Sequence, residues 1–197
     1  MGASRRLTQR GRERREELMA FATRRFAENG FHPTSVSDIV DGIGVGKGVF
    51  YWYFPSKDDL LLEILRQALV DLRRCQQRAL RPARDPLEGI ELGIRATLAW
   101  SAANPEILRL VTFGWTEENF ATALAKGRRI GIADTARLVR QAMDEGLIEP
   151  GDATMLATAI RGVTDELARE FVERGTDVDH TVVDTAVRMC LSGLRGR

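Results

Sequence analysis

Apolar residues return at intervals of three and four along almost the whole of this 197-residue chain, and runs that alternate apolar with polar are absent. That pattern leaves little besides helices, each burying one stripe against the stripes of its neighbours. Breaks in the pattern set the boundaries. Asn29-Gly30 stops a first helix whose stripe is Leu18, Phe21, Ala22 and Phe26, and Gly44, Pro55 and the Pro82-Ala83-Arg84-Asp85-Pro86 stretch interrupt the chain after it. Gly146, Pro150-Gly151 and Gly175 divide the remainder. Helices are predicted at about 9–29, 35–43, 46–54, 57–80, 87–103, 105–113, 119–145, 152–174 and 179–194. The expected fold is all-α with about nine helices.

Hydrophobic residues make up 44% and charged residues 29%, which excludes a disordered polar tail. No stretch approaches the roughly 18 apolar residues of a membrane span. The basic opening has no apolar run behind it, so a secretory leader is not expected, and the expected location is cytoplasmic. Cys75 and Cys190 lie far apart without a spaced partner, and His32 and His180 are isolated. Neither a metal site, a cofactor nor a nucleophile–base cluster is expected, and the chain does not read as an enzyme. The net charge of +1 hides a division. Residues 1–57 carry ten Lys/Arg against six Asp/Glu, a net of +4, while the other 140 carry 19 against 22, a net of −3. A basic front end on a mildly acidic body points to a polyanionic partner.

The segments 35–43 and 46–54, two short helices around a glycine turn, have the outline of a helix-turn-helix. Ser35-Val36-Ser37-Asp38 opens the first with the form of a capping box. The second holds five consecutive aromatic residues, Phe50 to Phe54, which cannot all face one core on barely two turns. At about 100° per residue, Phe50 and Phe54 share a face and should pack on Ile39 and Phe26. Lys47 and Tyr51 share another, with Val49 and Tyr53 beside them. An ammonium and two phenols suit phosphate oxygens, and Val49 suits a thymine methyl. Gly42-Ile43-Gly44-Val45-Gly46-Lys47-Gly48 is not a nucleotide loop. Asp41 stands where the first glycine is needed, Gly48 replaces the magnesium-holding hydroxyl, and a helix precedes it instead of a strand.

The run Thr34-Ser35-Val36-Ser37-Asp38-Ile39-Val40, followed by Gly44-Val45-Gly46-Lys47-Gly48-Val49-Phe50-Tyr51-Trp52-Tyr53-Phe54-Pro55-Ser56-Lys57, resembles the DNA-binding signature of the TetR family of bacterial repressors. The resemblance covers roughly residues 10–62 and implies a homodimer on a double-stranded, palindromic DNA operator, released by a small-molecule effector. It implies an N-terminal three-helix DNA-binding domain over 1–56 and a helical ligand-binding and dimerisation domain over 57–197. By position, Lys47, Gly48, Val49, Trp52 and Tyr53 would reach bases or nearby phosphates. Tyr51 and Lys57 would hold phosphates, and Ser35 and Ser37 would meet backbone or base. Arg5 and Arg6 would add arm contacts that weaken with salt. Two residues depart from the pattern: Gly46 replaces the usual capping Ser or Thr, and Val49 a hydroxyl residue.

In the body, Leu156, Ile160, Val163, Leu167 and Phe171 repeat at three and four, as do Val183, Ala186, Cys190 and Leu194. With the resemblance, these seams are expected to form a four-helix dimer interface. Thr97, Trp100, Phe113, Trp115, Phe120, Met143, Met155 and Thr164 are expected to line a largely apolar effector pocket. The alternatives are a basic-arm helical protein binding RNA or an anionic membrane surface, and a small helical enzyme using the same cavity.

Overall fold

A computed structural model of the chain describes residues 7–174 and 180–195, without the side chains of 171–174. Arg5, Arg6 and the side chain of Phe171 lie outside the described residues. Nine helices and no strand occur among them. These are α1 Gln9–Asn29, α2 Val36–Gly42, α3 Lys47–Tyr53, α4 Lys57–Ala79, α5 Pro86–Ala103, α6 Pro105–Thr116, α7 Glu118–Asp144, α8 Ala153–Arg174 and α9 His180–Leu194. The all-α reading is correct, and the boundaries agree within about three residues. The largest difference is at α6, which runs through the buried Gly114 to Thr116. The chain divides into units 1–65 and 66–197, with the division inside α4.

The 1–65 unit closes over a core of Leu18, Ala22, Phe26, Ile39, Val40, Phe50, Phe54 and the buried leucines that open α4. Phe50 and Phe54 are buried together, with ring centroids 5.9 Å apart, as the helical spacing predicts. Arg15 reaches across this core. Its guanidinium lies 5.2 Å from the Phe54 ring centroid and binds Glu63 at 2.6 Å. Caps fix where each helix begins. Thr8 accepts from the Gly11 N–H, and Ser56 accepts from the Asp59 N–H ahead of α4.

In the 66–197 unit, α7 packs on α5, α6 and α8, and α5 also packs on α8 and α9. Leu87, Ile90, Ile94 and Leu98 of α5 meet Ala136, Val139 and Ala142 of α7 and Ala153, Ala157 and Ile160 of α8. Asp85 caps α5, with Pro86 in the first turn, where its missing N–H costs nothing. Ion pairs Arg73–Asp134 and Arg95–Asp184, both at 2.8 Å, link α4 to α7 and α5 to α9. Among the described residues no helix is long and apolar enough to cross a membrane, and no cluster of His, Cys, Asp or Glu could hold a metal. Cys190 is buried and Cys75 half-buried; burial pushes the Cys190 thiol above its ordinary range.

Candidate nucleic-acid interface

The corner between α1, α2 and α3 is built from close approaches. Gly42 carries no Cβ because one there would lie 2.0 Å from the Phe21 ring, so α2 meets α1 nearly backbone to side chain. Gly44 then turns the chain at φ +67, a conformation that suits glycine. Val45 N–H bonds the Val40 carbonyl at 2.9 Å, closing the turn that aims α3. At the other end of α2 the capping box is present: the Ser35 hydroxyl accepts from the Asp38 N–H, and the Ser35 N–H and hydroxyl both donate to the Asp38 carboxylate at 2.7 Å. Those two bonds hold the Asp38 carboxyl below its usual range, the Ser35 backbone bond weighing most. The Ser35 hydroxyl is thus engaged in shaping α2, while Ser37 lies half-buried on the helix.

On α3 the exposed stripe is Lys47, Gly48, Tyr51 and Trp52, with both aromatics 54% exposed. Large aromatics left in water beside an ammonium make a surface ready for phosphates and base edges. Val49 and Tyr53 border this stripe and are half-buried, and the Tyr53 hydroxyl lies beside Gly11 of α1. The expectation that Tyr53 shares the exposed face with Lys47 and Tyr51 is therefore corrected: Trp52 does. The arithmetic of about 100° per residue separates residues 51 and 53 by more than half a turn and already favours this outcome. Gly46 caps α3 without a side-chain hydrogen bond, and a Cβ at Gly46 or Gly48 would meet nothing within 4 Å. The fold does not require either glycine. A bare backbone in the middle of the exposed stripe permits close approach of a ligand.

Lys57 is the second correction. Its Nζ donates to the carbonyls of Phe31 (2.8 Å), Thr34 (2.9 Å) and His32 (3.3 Å) and sits 4.3 Å from the Phe31 ring centroid. Its three protons are spent inside the chain, so it clamps the 31–34 connection instead of meeting phosphate. Burial pulls its ammonium below the ordinary lysine range. Lys57→Met, which keeps the stem and deletes the bonds, is expected to lower stability by about 1–3 kcal/mol in urea unfolding. A neutral result would show that the clamp contributes nothing.

Of the residues expected in a pocket, Thr97, Trp100 and Trp115 line one cavity of about 280 Å³ in the 66–197 unit. Thr164 lines an adjoining cavity of about 80 Å³, where Thr97 also appears. The others fall elsewhere. Phe120 is buried with its ring 6.3 Å from Phe113, Met143 packs on the core, and Met155 stands 64% exposed on α8. Aromatic and sulfur content had singled them out, and that content serves core packing equally well. Sequence reasoning missed Leu69 and Leu72 of α4, Leu108, Leu124 and the charged group Arg128, Arg161, Asp165, Glu166 and Arg169. The charged residues carry no sequence signal that separates them from a solvated helix face.

The seams of α8 and α9 are corrected as well. Ile160, Ala186, Cys190 and Leu194 are buried in the unit's own core, and Leu156, Val163, Leu167 and Val183 pack against it. A three-four stripe marks the face a helix buries first, and here that face turns inward. The opposite faces expose Met155, Ala159, Met189 and Gly193.

A capped helix, a glycine turn and a short second helix with a cationic, aromatic outer face define a helix-turn-helix DNA-binding protein. The model of the family described as "Bacterial regulatory proteins, tetR family" matches residues 18–64. The transcriptional activator FasR of Mycolicibacterium smegmatis is 26% identical over 189 residues, 92% of this chain and 83% of that one. The repressor KstR2 of the same species is 40% identical over 75 residues, 38% of this chain and 37% of the other. The solved structure of the fatty acid degradation regulator FadR from Bacillus halodurans superposes with a TM-score of 0.81 at 20% identity, covering 91% of this chain and 99% of that one. Residues 18–64 are thus similar to the tetR family of bacterial regulatory proteins, and over most of its length the chain is similar to a transcriptional regulator.

Proposed function

We propose that the chain acts in the cytoplasm as a homodimeric repressor that binds a palindromic operator and leaves it when a small effector enters the 66–197 unit. The observation that carries this reading is the exposed stripe Lys47, Gly48, Tyr51 and Trp52 on α3. Lys47 and Tyr51 supply donors for phosphates, and Trp52 and the bordering Val49 offer surfaces to base edges. Two copies of α3 about 34–36 Å apart enter successive major grooves, which asks for a two-fold site. Each α3 is tied to the effector unit through α4, so an effector favouring another α4 arrangement lowers DNA affinity, and DNA lowers effector affinity by the same factor. The cavity beside Trp100 and Trp115 is where it would bind.

Sequencing DNA fragments selected from a random pool tests the reading, and a two-fold symmetric consensus is the expected result. Binding to RNA or anionic lipid through the basic front end would show no such symmetry and would overturn it. On the selected site, Tyr51→Phe is expected to weaken all sequences alike by roughly 1 kcal/mol, because a phosphate contact carries no base information. Gly48→Ala separates fold from binding more sharply. It is expected to raise thermal stability by about 0.5–1 kcal/mol, since helix propensity rises and nothing obstructs the methyl. It should nevertheless lower operator affinity by crowding the backbone–DNA approach. Unchanged affinity, measured by fluorescence anisotropy, would remove Gly48 from the interface.

A further inference from the structure

Three cavities of the 66–197 unit, of about 280, 120 and 80 Å³, have one side chain in all of their walls: Arg161 of α8. Its side chain is only 16% exposed, and its Nε donates to Asp165 at 2.9 Å. The two terminal nitrogens find no protein acceptor among the described residues. Across from them, α7 presents Gly131, where a Cβ would lie 2.5 Å from one terminal nitrogen, so bare backbone makes room for the guanidinium. The planar fork is thus hemmed between two helices with its free ends at the junction of the cavities. Much of the remaining wall of the largest cavity is apolar, with Leu69, Leu72, Trp100, Leu108, Val111 and Leu124. The charged lining is Arg128, Arg161 and Arg169 against Asp165 and Glu166, an excess of one positive charge. Arg169 pairs with Glu166.

We infer that the effector is an amphipathic monoanion: a carboxylate whose two oxygens take the free ends of Arg161, with a hydrocarbon body lying along the apolar wall. A guanidinium fork and a carboxylate match in geometry, and one negative charge balances the lining. A cavity of about 280 Å³ holds roughly nine groups of water size, the bulk of an eight-carbon acid. The inference rests on the proposed effector response and sharpens it, since a largely apolar ligand alone would leave the two terminal nitrogens of Arg161 without an acceptor.

The test uses the full chain carrying Trp52→Phe, so that emission reports Trp100 and Trp115 alone, titrated with octanoate and with 1-octanol. Octanoate is expected to bind roughly tenfold to a hundredfold more tightly than the alcohol. Arg161→Gln should bring octanoate to within about twofold of 1-octanol and leave the alcohol unchanged. Equal binding of the two probes to the Arg161 protein, or octanoate binding that survives Arg161→Gln, overturns the inference while keeping the cavity as an apolar site. Binding of neither probe overturns the cavity as effector site, whereas operator binding, measured separately on the chain that keeps Trp52, continues to report on the DNA-binding reading. If Arg161→Gln does not fold, the comparison of acid with alcohol on the Arg161 protein still decides.

Discussion

Phe50→Ala is expected to unfold the 1–65 unit at ambient temperature. Phe50 is fully buried, its ring lies 5.9 Å from Phe54 and 5.3 Å from Tyr51, and it is the buried residue of α3. Removing a buried phenylalanine side chain costs about 3–5 kcal/mol, part lost transfer and part cavity. A unit of 65 residues has roughly 3–10 kcal/mol of stability in total, so the loss is comparable with the whole. The collapse should be local. Amide hydrogen exchange is expected to lose protection in α2 and α3 while α5, α7 and α8 keep theirs. Trp52→Ala, two residues away and 54% exposed, serves as the comparison. It should cost under about 1 kcal/mol yet change operator preference. Protection in α3 that survives Phe50→Ala would show that the aromatic run is held by something other than this core.

The contrast between Phe50 and Trp52 marks how far the sequence could be read. Periodicity located every helix because period and punctuation are local: Ser35 and Asp38 form their cap with each other, and Gly44 turns where it stands. Within α3, helical geometry alone assigned Phe50 and Phe54 to the core and left a donor-bearing outer face. What it could not assign was the use of a long, flexible side chain. Lys57 looks like a phosphate ligand in the sequence, but its ammonium folds back 23 to 26 residues to three carbonyls. Nothing local announces that bond.

The same limit governs the 66–197 unit. A stripe such as Leu156, Ile160, Val163 and Leu167 states that a helix buries one face, not whose core receives it. The cavity depends on contacts between α4, α5, α6, α7 and α8, which lie far apart in the chain. Arg161 is the sharpest instance. In the sequence it is one arginine with Asp165 four residues on, an ordinary surface pair. Only the bare backbone at Gly131 and the surrounding apolar wall make it a half-buried cation with donors to spare. Charged groups become chemically distinctive through burial, and burial is the least local property of a chain.

Met189→Arg is expected to turn the proposed dimer into a folded monomer. Met189 is 63% exposed on α9 and Met155 64% exposed on α8, so within one chain neither thioether has its apolar surface covered. Gly193 lies one turn from Met189, Ala159 one turn from Met155, and a Cβ at Gly193 or Gly162 would meet nothing within 4 Å. Methionine flanked by small residues on two helices lets another pair approach closely. In a two-fold interface each substitution occurs twice, so two unpaired guanidinium groups would be buried together. The cost is about 4 kcal/mol or more, a weakening of at least roughly a thousandfold in dimer affinity. The isolated chain should lose under about 0.5 kcal/mol, because the site is solvent-exposed there. Val163→Arg would not give this separation, since Val163 packs on the unit's own core and its replacement damages the fold itself. Sedimentation equilibrium at micromolar concentration distinguishes the cases, with circular dichroism verifying that Met189→Arg keeps its helices. Operator affinity should fall with the dimer, because a single α3 reads only one half-site. A Met189→Arg protein that still sediments as a dimer would move the interface to another face, and an unaltered chain that sediments as a monomer would remove the palindrome with it.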